Sequence, residues 1–197
     1  MIKLVLYFIV INFFFFSTES KSRTVLEIIS QNPSLKSFNI HLKQTGLDKI
    51  LSKKLPWNWT IFAPSDKAFK TASSLVKKEI LEDEFYSKNL FMDHIMTGHK
   101  TSLDINEEIS VEITVSNKPI QLYKSKKLHV KDMVVVQENL IGSNGVIHII
   151  DCIMYVQPSV EDERVSKELS EKFPITSCCM QNEKEIKSFQ DAARKKL

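Results

Sequence analysis

Apolar positions recur at two different periods along this chain, and the change of period divides it. Over residues 24–55 they come at helical spacing: Val25, Ile28 and Ile29, then Leu35, Phe38 and Leu42, then Leu47, Ile50 and Leu51. Pro33 and Gly46 punctuate these sets, which predicts short helices. A brief β-rich run, Trp59-Thr60-Ile61-Phe62-Ala63, stops at Pro64. Ser65 and Asp66 then supply an N-cap and a negative first turn for a helix through Ala68 and Phe69. Residues 75–80 and 85–96 read as two more helices, the second closing near Gly98. Beyond Gly98 the period becomes two. Ile109, Val111, Ile113 and Val115 alternate with Ser110, Glu112 and Thr114, which predicts a half-buried strand that residues 120–123 can pair with. Residues 133–136 and 146–156 predict further strands, separated by the turn signal Gly142-Ser143-Asn144-Gly145. Helices, one strand, helices and then strands make an α+β plan, not an alternating βαβ one.

The ends depart from this plan. An apolar run fills residues 4–16, broken by Asn12, with Lys3 before it and Thr18 and Ser20 behind. As a helix it reaches about 20 Å, short of the roughly 30 Å hydrocarbon core of a bilayer. A positive start, a short apolar stretch and small residues after it form a secretory signal-peptide pattern over residues 1–20, with cleavage expected after Ser20 and a retained signal-anchor as the alternative. The mature chain is thus expected outside the cell, with no membrane span. Residues 158–197 turn rich in Glu, Lys, Ser and Gln and carry thin apolar stripes, the pattern of a charged, partly helical C-terminal extension.

Composition narrows the chemistry. Apolar residues make up 43% of the chain, enough for a packed core. The net charge of +3 is spread among interleaved lysines and glutamates, which lacks the clustered basic stripe of a nucleic-acid binder. Three cysteines occur. Cys152 falls in an apolar strand pattern and reads as a buried small hydrophobe. Cys178 and Cys179 sit in the polar extension, where disulfides to another chain are easiest, and neither C-x-x-C nor C-x-x-H spacing signals a metal.

Two segments carry a resemblance. Thr60-Ile61-Phe62-Ala63-Pro64-Ser65-Asp66-Lys67-Ala68-Phe69 resembles the first signature of the fasciclin family, and Asn144-Gly145-Val146-Ile147-His148-Ile149-Ile150-Asp151 resembles the second. Between them Asp93-His94-Ile95-Met96-Thr97-Gly98 is similar to the family's Y-H-[IV]-x-x-G helix ending, with Asp93 in the tyrosine position. The resemblance covers residues 24–157 and implies a fasciclin-like domain at residues 21–157, a wedge of two small β-sheets packed orthogonally and flanked by helices. It also implies cell adhesion or extracellular-matrix binding, with a surface receptor, a matrix protein, a glycan or a second copy of the chain as partner. Asp93, His94 and Ile95 are the receptor-contact candidates that follow from it. The sequence itself adds Asn58-Trp59-Thr60 as a glycosylation sequon, since Asn32-Pro33-Ser34 is excluded by its proline. No G-x-S-x-G, H-E-x-x-H or catalytic-cysteine context appears, so the expected activity is non-catalytic and needs no cofactor or metal. Secreted small-ligand or lipid binding and an oligomerising structural role are the alternatives.

Overall fold

The computed structural model describes residues 22–158, 166–172, 175–176, 179–180 and 182–195. The apolar run at residues 4–16, its expected cleavage site and Cys178 lie outside the described residues.

The predicted N-terminal helices form. In α1 (Val25–Gln31), Thr24 and Glu27 exchange side chain–backbone bonds as a capping box, which satisfies two otherwise unpaired N–H groups. Helices α2 (Lys36–Gln44) and α3 (Asp48–Leu51) follow, with Phe38, Leu42 and Leu51 buried. Strand β1 (Trp59–Pro64) is buried throughout, and α4 (Asp66–Thr71) begins where the Ser65 hydroxyl accepts from the Ala68 N–H. A short helix α5 (Ser74–Val76) runs into a π-helical turn at Lys77–Leu81. Helix α6 (Glu84–Met92), capped by Asp83, stops earlier than its apolar pattern suggests. The residues after it turn into a short strand, β2 (Ile95–Thr97), which pairs antiparallel with β1.

The second half supplies β3 (Ser110–Ile113), β4 (Pro119–Lys124), β5 (Leu128–Val130), β6 (Met133–Gly142) and β7 (Gly145–Ile150). With β1 and β2 they form one seven-stranded sheet in the order β2-β1-β7-β6-β5-β4-β3. The expected pair of separate orthogonal sheets is therefore corrected to one continuous sheet. Strand β6 explains the difference. Its start pairs with β5 through Val134 and Met133, and its remainder pairs with β7 across two register shifts. Extra residues on one strand bend it and increase twist, so a single strand turns the corner that two sheets would have made. At the far ends, Met96 bridges Thr114 and the Val115 N–H bonds to the Ile95 carbonyl at 2.8 Å, so the curled sheet nearly closes on itself.

Two cores follow from this curvature. Phe62, Ile120, Leu122, Leu128, Val130, Val135, Ile150 and Met154 fill the concave side. Ile61, Ala63, Ile147 and Ile149, from the other face of β1 and β7, pack under the helices with Phe38, Leu42, Phe69 and Phe91. The C-terminal extension joins the second core and is more than an appendage. Helix α8 (Glu183–Arg194), opened by an Asn182–Glu185 capping box, buries Ile186, Phe189 and Ala193, with Phe189 against Tyr86 and Tyr155. Ahead of it, β8 (Gln157–Pro158) pairs with β9 (Ile175–Thr176), flanking α7 (Lys167–Lys172).

Candidate functional site

The two signature segments are neighbours in space. Strands β1 and β7 run parallel in register from Trp59 opposite Gly145 to Pro64 opposite Ile150. At one end of this pair the Ser65 hydroxyl donates to Asp151 at 2.7 Å, and Lys67 bonds the other carboxylate oxygen at 2.7 Å. These bonds stabilise the charged carboxylate and lower the Asp151 pKa. At the other end Asn144 acts through its side chain. Its oxygen accepts from the Val25 N–H at 2.8 Å and its amide donates to the Leu51 carbonyl at 2.9 Å, tying α1 and α3 to the sheet. Gly145 is needed because an added Cβ would lie 2.2 Å from the Trp59 carbonyl oxygen. His148 is a core histidine, as its strand position suggests. Its Nε2 bonds the Lys100 carbonyl at 2.8 Å, its Nδ1 accepts from the Asn139 N–H at 3.3 Å, and burial lowers its pKa.

The sequence-nominated receptor residues are also internal. Asp93 and His94 are 0% exposed and Ile95 is 3% exposed, so none presents its side chain to a partner. The physical reason is the early end of α6, which turns this corner inward. Asp93 accepts from the Ser116 hydroxyl and from Lys118 Nζ, the latter at 2.6 Å. His94 accepts the Met154 N–H at Nε2 (2.7 Å), which leaves Nδ1–H to donate to the Leu90 carbonyl at 2.9 Å. Loss of solvent pushes the His94 pKa down to about 3, against the raising effect of the Leu90 bond. The corner is a structural joint.

What does face outward is the apolar set of the half-buried strand expected over residues 109–115. Ser110 and Glu112 stand opposite Leu122 and Ile120, both core residues, so the polar set of β3 is on the concave side. Val111 and Ile113 point the other way and are 58% and 53% exposed, with Ile109 and Val115 exposed beside them. Each inward polar group is matched: Glu112 pairs with Lys100 at 2.9 Å, Ser110 Oγ donates to the Leu122 carbonyl, and Thr114 Oγ1 meets Ser116 Oγ at 2.9 Å. A one-residue shift of register swaps the faces of a strand, and alternation cannot tell which set is inside. The signal that separates them is the buried Asp93, which requires Ser116 and Lys118 beside it.

The model of the fasciclin domain matches residues 33–156, more than half of the chain. The chain belongs to the fasciclin domain family. This fasciclin domain is similar to periostin of Homo sapiens, 26% identical over 139 residues that cover 68% of the chain and 16% of periostin. It is also similar to stabilin-2 of Mus musculus, 24% identical over 131 residues that cover 66% of the chain and 5% of stabilin-2. The chain spans a small part of the length of both relatives. Its fold matches a FAS1 domain pair from the insect cell adhesion molecule Fasciclin I with a TM-score of 0.59 and 19% identity, covering 67% of this chain and 50% of that one.

The remaining candidates of this fasciclin domain lie apart. Asn58 is exposed and its backbone carbonyl accepts from the Gly98 N–H at 2.8 Å, so the sequon sits at the β1–β2 edge. Cys179 is bonded to Cys152 within the chain, with Cα atoms 5.4 Å apart, which corrects the expected pairing of Cys179 between chains. The docked extension brings Cys179 back to the sheet, and the buried Cys152 is its partner. Among the described residues no group of His, Cys, Asp and Glu is placed to hold a metal ion, and no helix is long and apolar enough to cross a membrane.

Proposed function

We propose that this fasciclin domain is a secreted, non-catalytic adhesion module that binds a protein of the cell surface or extracellular matrix through the outward face of β3. The observation that carries this reading is the stripe of Ile109, Val111, Ile113 and Val115, β-branched side chains exposed on and beside the last strand in the sheet order. Contiguous exposed apolar surface marks interaction sites, and the end of β3 is held against β2 where the sheet nearly closes, so the stripe is offered by its side chains on a fixed face. The partner therefore presents an apolar protein surface. The apolar run at residues 4–16 supports secretion, and the likeness to a domain pair of an insect cell adhesion molecule supports the general kind of activity. Asn58 is proposed to carry an N-linked glycan at a distance in sequence from the stripe.

The test is cell attachment to immobilised protein, comparing wild type with Val111→Thr/Ile113→Thr. These substitutions keep β-branching and remove apolar contact, so attachment is expected to fall severalfold while thermal stability is held. Unchanged attachment would remove β3 as the contact face. No attachment by wild type across epithelial, fibroblast and haemocyte-like cells would remove adhesion. Loss of mass on treatment with a peptide:N-glycosidase, absent in Asn58→Gln, checks the glycan.

A further inference from the structure

The charges of this chain balance along most of its length, but two stretches hold lysines with little acid to match them. Residues 28–65 carry five lysines against Asp48 alone, and residues 113–131 carry five lysines and no acidic residue. The fold uses the two sets differently. In the second stretch Lys118 pairs with the buried Asp93, Lys124 Nζ donates to the Ser102 carbonyl at 2.9 Å, and Lys131 is 2% exposed. That leaves Lys126 and Lys127 as its exposed cations, on the β4–β5 hairpin. In the first stretch Lys36, Lys43, Lys49, Lys53 and Lys54 are all exposed, and none makes an ion pair among the described residues.

Local structure brings this first set to adjoining elements. Lys36 and Lys43 are about two helical turns apart on one face of α2, away from the buried Phe38 and Leu42. Gly46, at a φ of 70°, turns the chain into α3, which packs against α2. Helix α3 buries Leu51 and leaves Lys49 outside, and Lys53 and Lys54 follow on the way to β1. The bordering carboxylates are engaged elsewhere. Glu27 closes the α1 capping box, Asp66 accepts the Ser37 N–H at 2.7 Å, and Asp48 is half-buried in the first turn of α3, where its charge favours the helix dipole.

Five unpaired ammonium groups on neighbouring elements raise the local positive potential and attract a polyanion. The side chains narrow its kind. The set contains no arginine, whose fork suits a fixed carboxylate or phosphate; lysines are point charges on flexible stems, which follow anions repeated along a chain. Helices α2 and α3 turn their apolar stripes inward and leave only Ile40 and Ile50 exposed among the lysines, so this surface lacks the apolar face with which a helix enters a bilayer. Five cations within residues 36–54 call for closely spaced anions.

We infer that the α2–α3 surface binds a densely sulfated polysaccharide through Lys36, Lys43, Lys49, Lys53 and Lys54. The choice of a polysaccharide over a nucleic acid rests on the secreted reading above. The surface itself shares no residue with the β3 stripe.

The test is elution of the secreted protein from immobilised heparin, from heparin stripped of its sulfates and from a sulfonate cation exchanger, at rising salt. Retention on heparin is expected at about 0.15 M ionic strength, with release at higher salt than from either comparator. Lys53→Gln/Lys54→Gln removes two exposed, unpaired charges, so the melting temperature should hold while affinity for heparin falls about tenfold or more, at about fivefold per lysine. Lys126→Gln/Lys127→Gln changes the net charge equally on the other stretch and should cost no more than about twofold. Val111→Thr/Ile113→Thr should leave retention unchanged, so this inference and the β3 reading can fail separately. No retention at that salt, release together with either comparator, or equal losses for the two lysine pairs would overturn the inference. So would tighter binding to phosphatidylserine vesicles than to heparin.

Discussion

The ion pair between Asp93 and Lys118 offers a decisive perturbation. Asp93 is fully buried and the Lys118 side chain is 14% exposed, with 2.6 Å between the charged atoms. Ser116 donates to the same carboxylate, and Lys118 Nζ also lies 5.0 Å above the Phe189 ring. Asp93→Ala leaves the ammonium nearly buried without its counter-charge, and Lys118→Met leaves the carboxylate so. Breaking a buried pair from either side costs about 3–5 kcal/mol, whereas replacing both partners by apolar groups of similar volume is often close to neutral. Asp93→Leu/Lys118→Met is therefore expected to be more stable than either single variant. In the closed cycle of Asp93→Leu, Lys118→Met and the double variant, two losses of about 3–5 kcal/mol and a double less costly than either imply a coupling energy of at least about 3 kcal/mol. Urea unfolding followed by tryptophan fluorescence measures all members of the cycle. Singles that cost under about 1 kcal/mol and add independently, as exposed pairs do, would refute the reasoning.

Other outcomes follow from neighbouring contacts. Phe189→Ala, at a fully buried position on α8, should cost about 3–5 kcal/mol; a change near zero would return the extension to the status of an appendage. Gly145→Ala places a Cβ 2.2 Å from the Trp59 carbonyl oxygen, and since the obstacle is backbone, a loss of about 3 kcal/mol or more in the same unfolding assay is expected. The buried His94 stays neutral down to about pH 3 in the fold, while in the unfolded chain it binds a proton below about pH 6.5. Stability that it contributes is complete above that value and is lost as pH falls, by about 2 kcal/mol at pH 5. An NMR titration placing the His94 pKa near 6.5 would sink this account.

The sequence exposed some levels of this structure and hid others. Capping residues and helical spacing identified α1, α2, α3 and α4 because each helix buries one clear stripe. The signatures pointed to β1 and β7, which are apolar on both faces because helices cover one side and the curled sheet the other. Strand β2 was invisible, since Ile95 and Met96 continue the apolar pattern of α6 and only tertiary pairing with β1 ends the helix. The orientation of β3 was equally hidden, because two alternating sets fit a strand equally well until Asp93 recruits one of them. Asp93 itself read as a receptor-contact candidate at the position of an aromatic residue. A carboxylate looks polar in any sequence, and its partners Ser116 and Lys118 are more than twenty positions away. The disulfide was hidden for a similar reason, as nothing local shows that α8 folds back to bring Cys179 to Cys152.

The buried corner and the exposed stripe are mechanically one unit. Strand β3 leads into a turn in which Thr114 N–H bonds the Lys118 carbonyl and Asn117 takes a positive φ of 61°. Ser116 and Lys118 of that turn hold Asp93 at the end of α6, and Phe189 of α8 covers Lys118. Asp93 thus fixes where Val111 and Ile113 stand without touching anything outside the domain. If the stripe is the contact face, Asp93→Ala should reduce cell attachment by loosening β3, and loss of attachment alone would mimic a receptor contact at Asp93. The double variant Asp93→Leu/Lys118→Met separates the two cases. It lacks the carboxylate but keeps the turn packed, so attachment close to wild type identifies a positioning role. Attachment as poor as that of Asp93→Ala, in a protein of wild-type stability, would instead show that the carboxylate itself is needed by the partner.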